Sequence, residues 1–235
     1  MQRVKRMLIL GSSKGLGKEL YRMFNDINYE VIGVSRSESQ YTDIVCDLSD
    51  KKQVRLLVSK IQKSIPNNVI FNAGQGSSKQ ETPSQRTAEL RSQNFFTAKY
   101  FIDEIMNDEN ILSNIDNLIF INSICALENV ICSEEYQSSK RELLHYVRSI
   151  SNQLIRNKVR VNSLLPGNIM HENSVWKKKF DKASDEKEFL KKTMPFGDWI
   201  YPRDIFNTIN FLIDNKNLVG NEIILDGGQS QFSPD

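Results

Sequence analysis

The sequence predicts an α/β fold: a doubly wound parallel sheet of about seven strands with helices on both faces. Three observations carry this. Short apolar runs alternate along the chain with longer stretches of helical apolar period, the pattern of β-α-β crossovers. A glycine-rich turn, GSSKGLG, stands between the first apolar run and the first amphipathic one. No internal repeat or low-complexity linker interrupts the alternation, and 235 residues are enough for one well-cored domain and short for two.

In order, the first strand is expected at Met7–Leu10, where four apolar residues are stopped by the turn. A helix follows over Lys18–Asp26, then strands at Glu30–Val34 and Ile44–Cys46. Lys51–Ser64 reads as the next helix, with Asp50 or Ser49 placed to cap it. Val69–Phe71 is the fourth strand, Ser84–Asn107 a long helix and Leu118–Ile121 the fifth strand. Glu134–Ile155 has the clearest helical period, with Leu143, Leu144, Val147, Ile150, Leu154 and Ile155 on one face. Val159–Leu165, a helix at Arg203–Asp214 and a strand at Glu222–Leu225 complete the series.

The segment 168–198 breaks this rhythm. It is long, polar and lysine-rich (VWKKKFDKASDEKEFLKK), and an insertion of that length inside a domain reads as a substrate lid more readily than as a connector. The bland reading is a solvated helix pair, with Lys177, Lys178 and Lys179 on a solvated face.

Composition excludes several classes. Lys+Arg of 31 against Asp+Glu of 29 leaves a formal charge of +2, with no field to attract nucleic acid or an acidic membrane. No apolar run reaches membrane-spanning length, and Met7–Leu10 is too short for an export signal. Cys46, Cys125 and Cys132 are odd in number and lack metal-ligand spacing with His145 or His171. These features lead us to expect a cytoplasmic protein with neither disulfide framework nor metal site.

The chemistry is carried by Tyr136 and Lys140, four residues apart on one helix face, with Ser123 thirteen residues upstream. A phenol, an ammonium and a hydroxyl so arranged form a proton-transfer site for a carbonyl or an alcohol. A nearby cation is expected to favour phenolate and draw the phenol down from about 10. The turn Gly11–Gly17 provides close backbone approach and a helix N-terminus, which suit a pyrophosphate. Its spacing is Gly-x-x-x-Gly-x-Gly.

With these motifs in order from Met7 to Gly228, the chain resembles the short-chain dehydrogenase/reductase family and its Rossmann-like fold. Gly11, Gly15 and Gly17 match the family's glycine motif, Asn72, Ala73 and Gly74 its Asn-Ala-Gly motif, and Asn94 its catalytic Asn. Ser123, Tyr136 and Lys140 match its catalytic Ser, Tyr and Lys; Pro166 and Gly167 its Pro-Gly; Asp226, Gly227 and Gly228 its Asp-Gly-Gly. The resemblance implies that Tyr136 is the proton donor in reduction and that Lys140 lowers its pKa and binds ribose hydroxyls. It implies that Ser123 hydrogen-bonds the substrate oxygen and that Asn94 holds a water leading from Lys140 to solvent. The cofactor site implied comprises Gly11, Ser13, Lys14, Gly15, Leu16 and Gly17, then Ser35, Arg36, Asp47, Leu48, Asn72, Ala73 and Gly74. Tyr136, Lys140, Pro166, Gly167 and Ile169 complete it.

Ser35 and Arg36 stand where NAD-preferring members carry an acid, and Lys14 adds a cation, so NADP(H) is expected ahead of NAD(H). The expected activity is interconversion of a ketone and a secondary alcohol on a polar metabolite, in the reducing direction. The rival reading is a non-catalytic NADP(H)-binding regulator or scaffold. A homodimer or homotetramer through the two long helices is implied by resemblance alone. Three departures stand out: Leu10 and Phe71 replace a customary Thr and Asn, and His171 falls where a carboxamide-binding Thr is usual. His171 is read as pointing to solvent, and Glu128 as an exposed loop carboxylate.

Overall fold

In the computed structural model, which describes residues 4–127, 130, 132–181 and 185–231, the first half runs β1 (Arg6–Leu10), α1 (Gly15–Asp26), β2 (Glu30–Ser35), β3 (Ile44–Val45), α2 (Lys51–Ile61) and β4 (Asn68–Phe71). Next come α3 (Pro83–Arg91), α4 (Thr97–Met106), α5 (Glu109–Leu112), β5 (Asn117–Ile121) and α6 (Glu134–Leu154). β6 (Arg160–Pro166), α7 (Val175–Phe180), α8 (Glu186–Thr193), α9 (Pro202–Asp214) and β7 (Glu222–Leu225) complete the order. The seven strands form one sheet, β3-β2-β1-β4-β5-β6-β7, and every pairing is parallel.

Strand alternation divides the core into two layers. Leu8, Leu10, Val69, Phe71, Leu118 and Phe120 point to the face covered by α2, α4 and α6. Met7, Ile9, Ile70, Ile119 and Ile121 point to the face covered by α1, α9 and the segment 168–198. Phe71 and Phe120, on adjacent strands, stack with ring centroids 4.2 Å apart. Asp50 caps α2 by accepting from the backbone of Lys52 and Gln53, as its position before the helix suggested.

Two expectations about local structure change. The long helix expected over Ser84–Asn107 is divided by a π turn at Ser92–Phe96, where the Thr97 N–H reaches back five residues to Ser92 O. The segment 168–198 folds as α7 and α8 over an aromatic cluster of Trp176, Phe180, Phe189 and Trp199, with neighbouring centroids 5.0 to 6.5 Å apart. Apolar packing, and not only solvation, therefore holds it to the sheet. The three lysines also diverge. Lys177 pairs with Asp181 at 2.6 Å, Lys179 lies 4.7 Å from the Phe189 ring centroid, and Lys178 borders a cavity described below.

The glycine turn is locked by contact. A Cβ on Gly17 would stand 1.9 Å from Gly11 O, an oxygen that also accepts from Asn72 Nδ2 at 2.7 Å. The end of β4 is thereby tied to the turn that opens α1. Gly17→Ala is expected to displace this junction and cost about 1–3 kcal/mol or more, read as a lowered urea midpoint and weakened NADPH binding. An unchanged midpoint would show that the turn can yield.

Candidate active site

The strand order reverses between β1 and β4, which opens a crevice at their C-terminal ends. Two cavities meet there, of about 630 and 600 Å³, and share Asn72 and Gly74. The first is lined by Gly11, Ser13, Lys14 and Gly15 from the turn, Ser35 and Arg36 after β2, and Asp47 and Leu48 after β3. Ala73 and Gly74 close it beside β4. The second is lined by Leu16, Ser123, Tyr136, Lys140, Pro166, Gly167 and Ile169. Of the sequence-derived residues, Gly17 and Asn94 line neither cavity and stand directly behind the walls.

The floor of the first cavity suits phosphate. Gly15 has φ of +57°, and Lys14, at the N-cap of α1, offers no side-chain acceptor to the first N–H groups. Around this floor stand the cations Lys14, Arg36 and Lys178, against a single lining carboxylate among the described residues, Asp47. Asp47 Oδ1 already accepts from the Ser49 backbone at 2.9 Å and its hydroxyl at 2.7 Å. The Ser35 hydroxyl is turned inward, donating to Ser37 O at 2.6 Å, so Ser35 shapes the loop that presents Arg36.

In the second cavity, α6 brings Tyr136 and Lys140 together, and the end of β5 delivers Ser123. The Ser123 hydroxyl hydrogen-bonds the Tyr136 phenol and accepts from the Cys125 N–H at 3.1 Å. Lys140 is 5% exposed, its Nζ 5.7 Å from the Tyr136 ring centroid. A Cβ on Gly74 would lie 3.7 Å from that Nζ and 2.8 Å from Asn94 Oδ1, so both side chains converge on Gly74. The π turn swings Asn94 inward. Its Oδ1 accepts from Gln75 N at 2.8 Å, and its Nδ2 donates to Gln75 O and Ser139 Oγ, each at 3.0 Å. Both Nδ2 protons are thus used in joining the loop after β4 to α6, and Oδ1 keeps one lone pair.

The electrostatics correct one expectation. Burial raises the Tyr136 phenol above its ordinary value, and the Ser123 hydrogen bond opposes this only in part. Burial also lowers Lys140 from 10.5 to about 8. The reason is geometric: the ammonium stands over the ring and not at the hydroxyl, so desolvation outweighs attraction for both groups.

Sequence reasoning missed several wall residues. Gln75 and Gly76, beside the recognised Asn-Ala-Gly motif, border the second cavity, as do Trp176 and Phe189 from α7 and α8. His171 does not face solvent: a Cβ on Gly15 would meet its Cε1 at 3.1 Å, and its buried Nδ1 has no hydrogen-bond partner among the described residues. Its position after Pro166-Gly167 was the available signal. Cys125 and Cys132, expected to be free thiols, form a disulfide: seven residues apart in sequence, their Cα atoms stand 6.0 Å apart, within bridging distance. Glu128 lies outside the described residues. Among the described residues no cluster of metal-ligating side chains occurs.

Comparison with known proteins bears on family and fold. The model of a family described as enoyl-(acyl carrier protein) reductase matches residues 24–230. The 3-oxoacyl-[acyl-carrier-protein] reductase of Rickettsia conorii is 26% identical over 242 residues, spanning 95% of this chain and 96% of its own. Carbonyl reductase family member 4 of Xenopus laevis is 23% identical over 239 residues, spanning 94% and 95%. An NADPH-bound short-chain oxidoreductase from Pseudomonas aeruginosa, whose catalytic centre is described as atypical, superposes with a TM-score of 0.84 at 22% identity. The match covers 97% of this chain and 98% of that one.

Proposed function

The chain belongs to the short-chain dehydrogenase/reductase family of NAD(P)-dependent oxidoreductases, and from that premise we propose an NADP(H)-dependent reductase that converts a ketone to a secondary alcohol. The observation that carries the cofactor choice is the excess of Lys14, Arg36 and Lys178 over Asp47 around the first cavity. A 2′-phosphate finds guanidinium and ammonium there, and among the described residues no carboxylate from the loop just after β2 lines the cavity to repel it. The NADPH bound by the Pseudomonas relative agrees with this choice. The glycine cradle and the uncapped start of α1 fit a pyrophosphate.

NADP(H), when bound, supplies the hydride. The chain's own residues do the rest. Ser123 donates a hydrogen bond to the carbonyl oxygen and Tyr136 protonates it as charge develops. Lys140 steadies the phenolate that results and holds ribose hydroxyls, while Asn94, through its free lone pair, orients a proton path from Lys140. His171 reaches the pyrophosphate from the segment 168–198, which acts as the lid. His171→Ala is expected to raise the NADPH dissociation constant roughly tenfold, the worth of one hydrogen bond to a charged group. Equal affinities in a fluorescence titration would remove His171 from the site.

The lysine-rich lid suggested a polar metabolite. Lys177 and Lys179 are engaged elsewhere, and the lid presents Trp176, Phe189 and Val175 to the second cavity. The substrate we propose therefore carries its ketone on an apolar or planar body, with Lys178 serving the cofactor. A panel of aryl, acyl-thioester and sugar ketones, run with NADPH and NADH in parallel, tests both choices. Turnover confined to sugars, or a preference for NADH, would refute them.

Among the described residues no helix is long and apolar enough to cross a membrane. We place the protein in the cytoplasm and expect a homodimer or homotetramer through α4 and α6, which sedimentation would show.

A further inference from the structure

The geometry points to a redox-responsive substrate pocket, in which Cys125 and Cys132 form a thiol–disulfide pair that sets the loop between Ser123 and Tyr136. This regulation rests on reading the second cavity as the carbonyl site. Both cysteines line that cavity together with Ser123, Tyr136 and Lys140. Their bond closes a short ring, seven residues in sequence separation, between the two reacting hydroxyls. One end of the ring holds Ser123 directly, since the Cys125 N–H donates to its Oγ at 3.1 Å. The other end meets α6, where Gln137, next to Tyr136, donates through Nε2 to Leu127 O at 3.3 Å and Val130 O at 3.1 Å. Opening the ring therefore loosens a segment fastened to both sides of the reacting centre.

The third cysteine provides a contrast. Cys46 is buried at the wall of the first cavity, and burial pushes its thiol up to about 11, so it holds little thiolate at neutral pH. Cys125 and Cys132 are only partly buried and reachable from the cavity. A small-molecule disulfide such as oxidised glutathione is a sufficient oxidant. One cysteine thiolate attacks it, forming a mixed disulfide and releasing one small thiol, and the second cysteine then displaces the other. Two protein thiols become one disulfide, the small disulfide is reduced to two thiols, and the cysteine protons end on those thiols.

The oxidised pocket is the ordered one. Reduction is expected to raise the KM for the ketone roughly fivefold, the cost of ordering a few loop residues on binding. The NADPH dissociation constant should move less than the KM, because neither cysteine lines the first cavity, where the phosphates are proposed to bind. The full chain would be poised with oxidised glutathione or dithiothreitol, and mass spectrometry after alkylation would count the thiols. KM and hydrogen exchange over residues 124–136 would then be compared between the two states. Support is a reversible rise in KM and in exchange on reduction, with Cys125→Ser/Cys132→Ser behaving as the reduced protein in either buffer. Three free thiols after oxidation would overturn the proposal. So would equal exchange in the two states, equal KM in an active enzyme, or a redox response that survives in the double variant. If no ketone turns over in either state, the reductase reading fails; thiol count and exchange then still decide whether the pair controls the loop.

Discussion

Tyr136→Phe is expected to lower the turnover of ketone by about 10²- to 10⁴-fold, the usual worth of a positioned general acid. NADPH affinity should change less than about threefold, since the net worth of one neutral hydrogen bond is modest. Phenylalanine keeps the ring that Lys140 faces at 5.7 Å and removes only the hydroxyl that Ser123 holds. The direction of the Tyr136 shift adds a pH signature. A phenol raised by burial stays protonated through neutral pH, which keeps the acid needed for reduction fully available. Oxidation of the alcohol needs phenolate, so its rate should climb as the pH is taken from neutral into the alkaline range, while reduction does not gain. Single-turnover measurements with bound NADPH read the chemical step directly. A variant that retains a tenth of the wild-type rate, or an oxidation rate flat with pH, would transfer the proton to another group.

The strands were legible because each is a short apolar run between turn residues, and the alternation of Met7, Leu8, Ile9 and Leu10 between two core layers requires that composition. The triad of Ser123, Tyr136 and Lys140 was legible because strand end and helix fix it locally. Features set by tertiary packing were not. The π turn at Ser92–Phe96 follows from fitting Asn94 between Gln75 and Ser139, partners 19 and 45 residues away. The aromatic packing beneath the segment 168–198 was not legible because lysines dominate its composition, while Trp176, Phe180, Phe189 and Trp199 are too scattered to show a period. His171 resembled any lone polar histidine until the lid folded it over Gly15. The electrostatic reading of Tyr136 and Lys140 failed for a related reason: sequence spacing gives proximity, but it does not weigh attraction against burial.

Lys140→Met should stabilise the cofactor-free protein at pH 7 while abolishing most of its activity. In the unfolded chain this ammonium titrates near 10.5, and in the fold near 8. Below about 8 both states carry the proton, and the fold bears the full cost of a buried charge. Between about 8 and 10.5 the unfolded chain binds more protons than the folded one, so wild-type stability gains with rising pH. Above 10.5 neither state is charged and the cost is gone. The gap between the two values corresponds to about 3 kcal/mol at pH 7, and among the described residues no side-chain acceptor is hydrogen-bonded to Nζ to offset it. Methionine is close in length and carries no charge, so the variant should unfold at higher urea at pH 7, with the difference closing towards pH 10. Comparing the two proteins at each pH cancels their common alkaline behaviour. A variant less stable than wild type at pH 7, or a difference that does not vary with pH, would mean that Lys140 is comfortably solvated. A ligand that prefers the ammonium should close the same gap, because binding to the native state adds to its stability. Saturating NADPH is therefore expected to raise the urea midpoint of wild type more than that of Lys140→Met, which would identify the charge kept at a cost in the fold as one the cofactor uses.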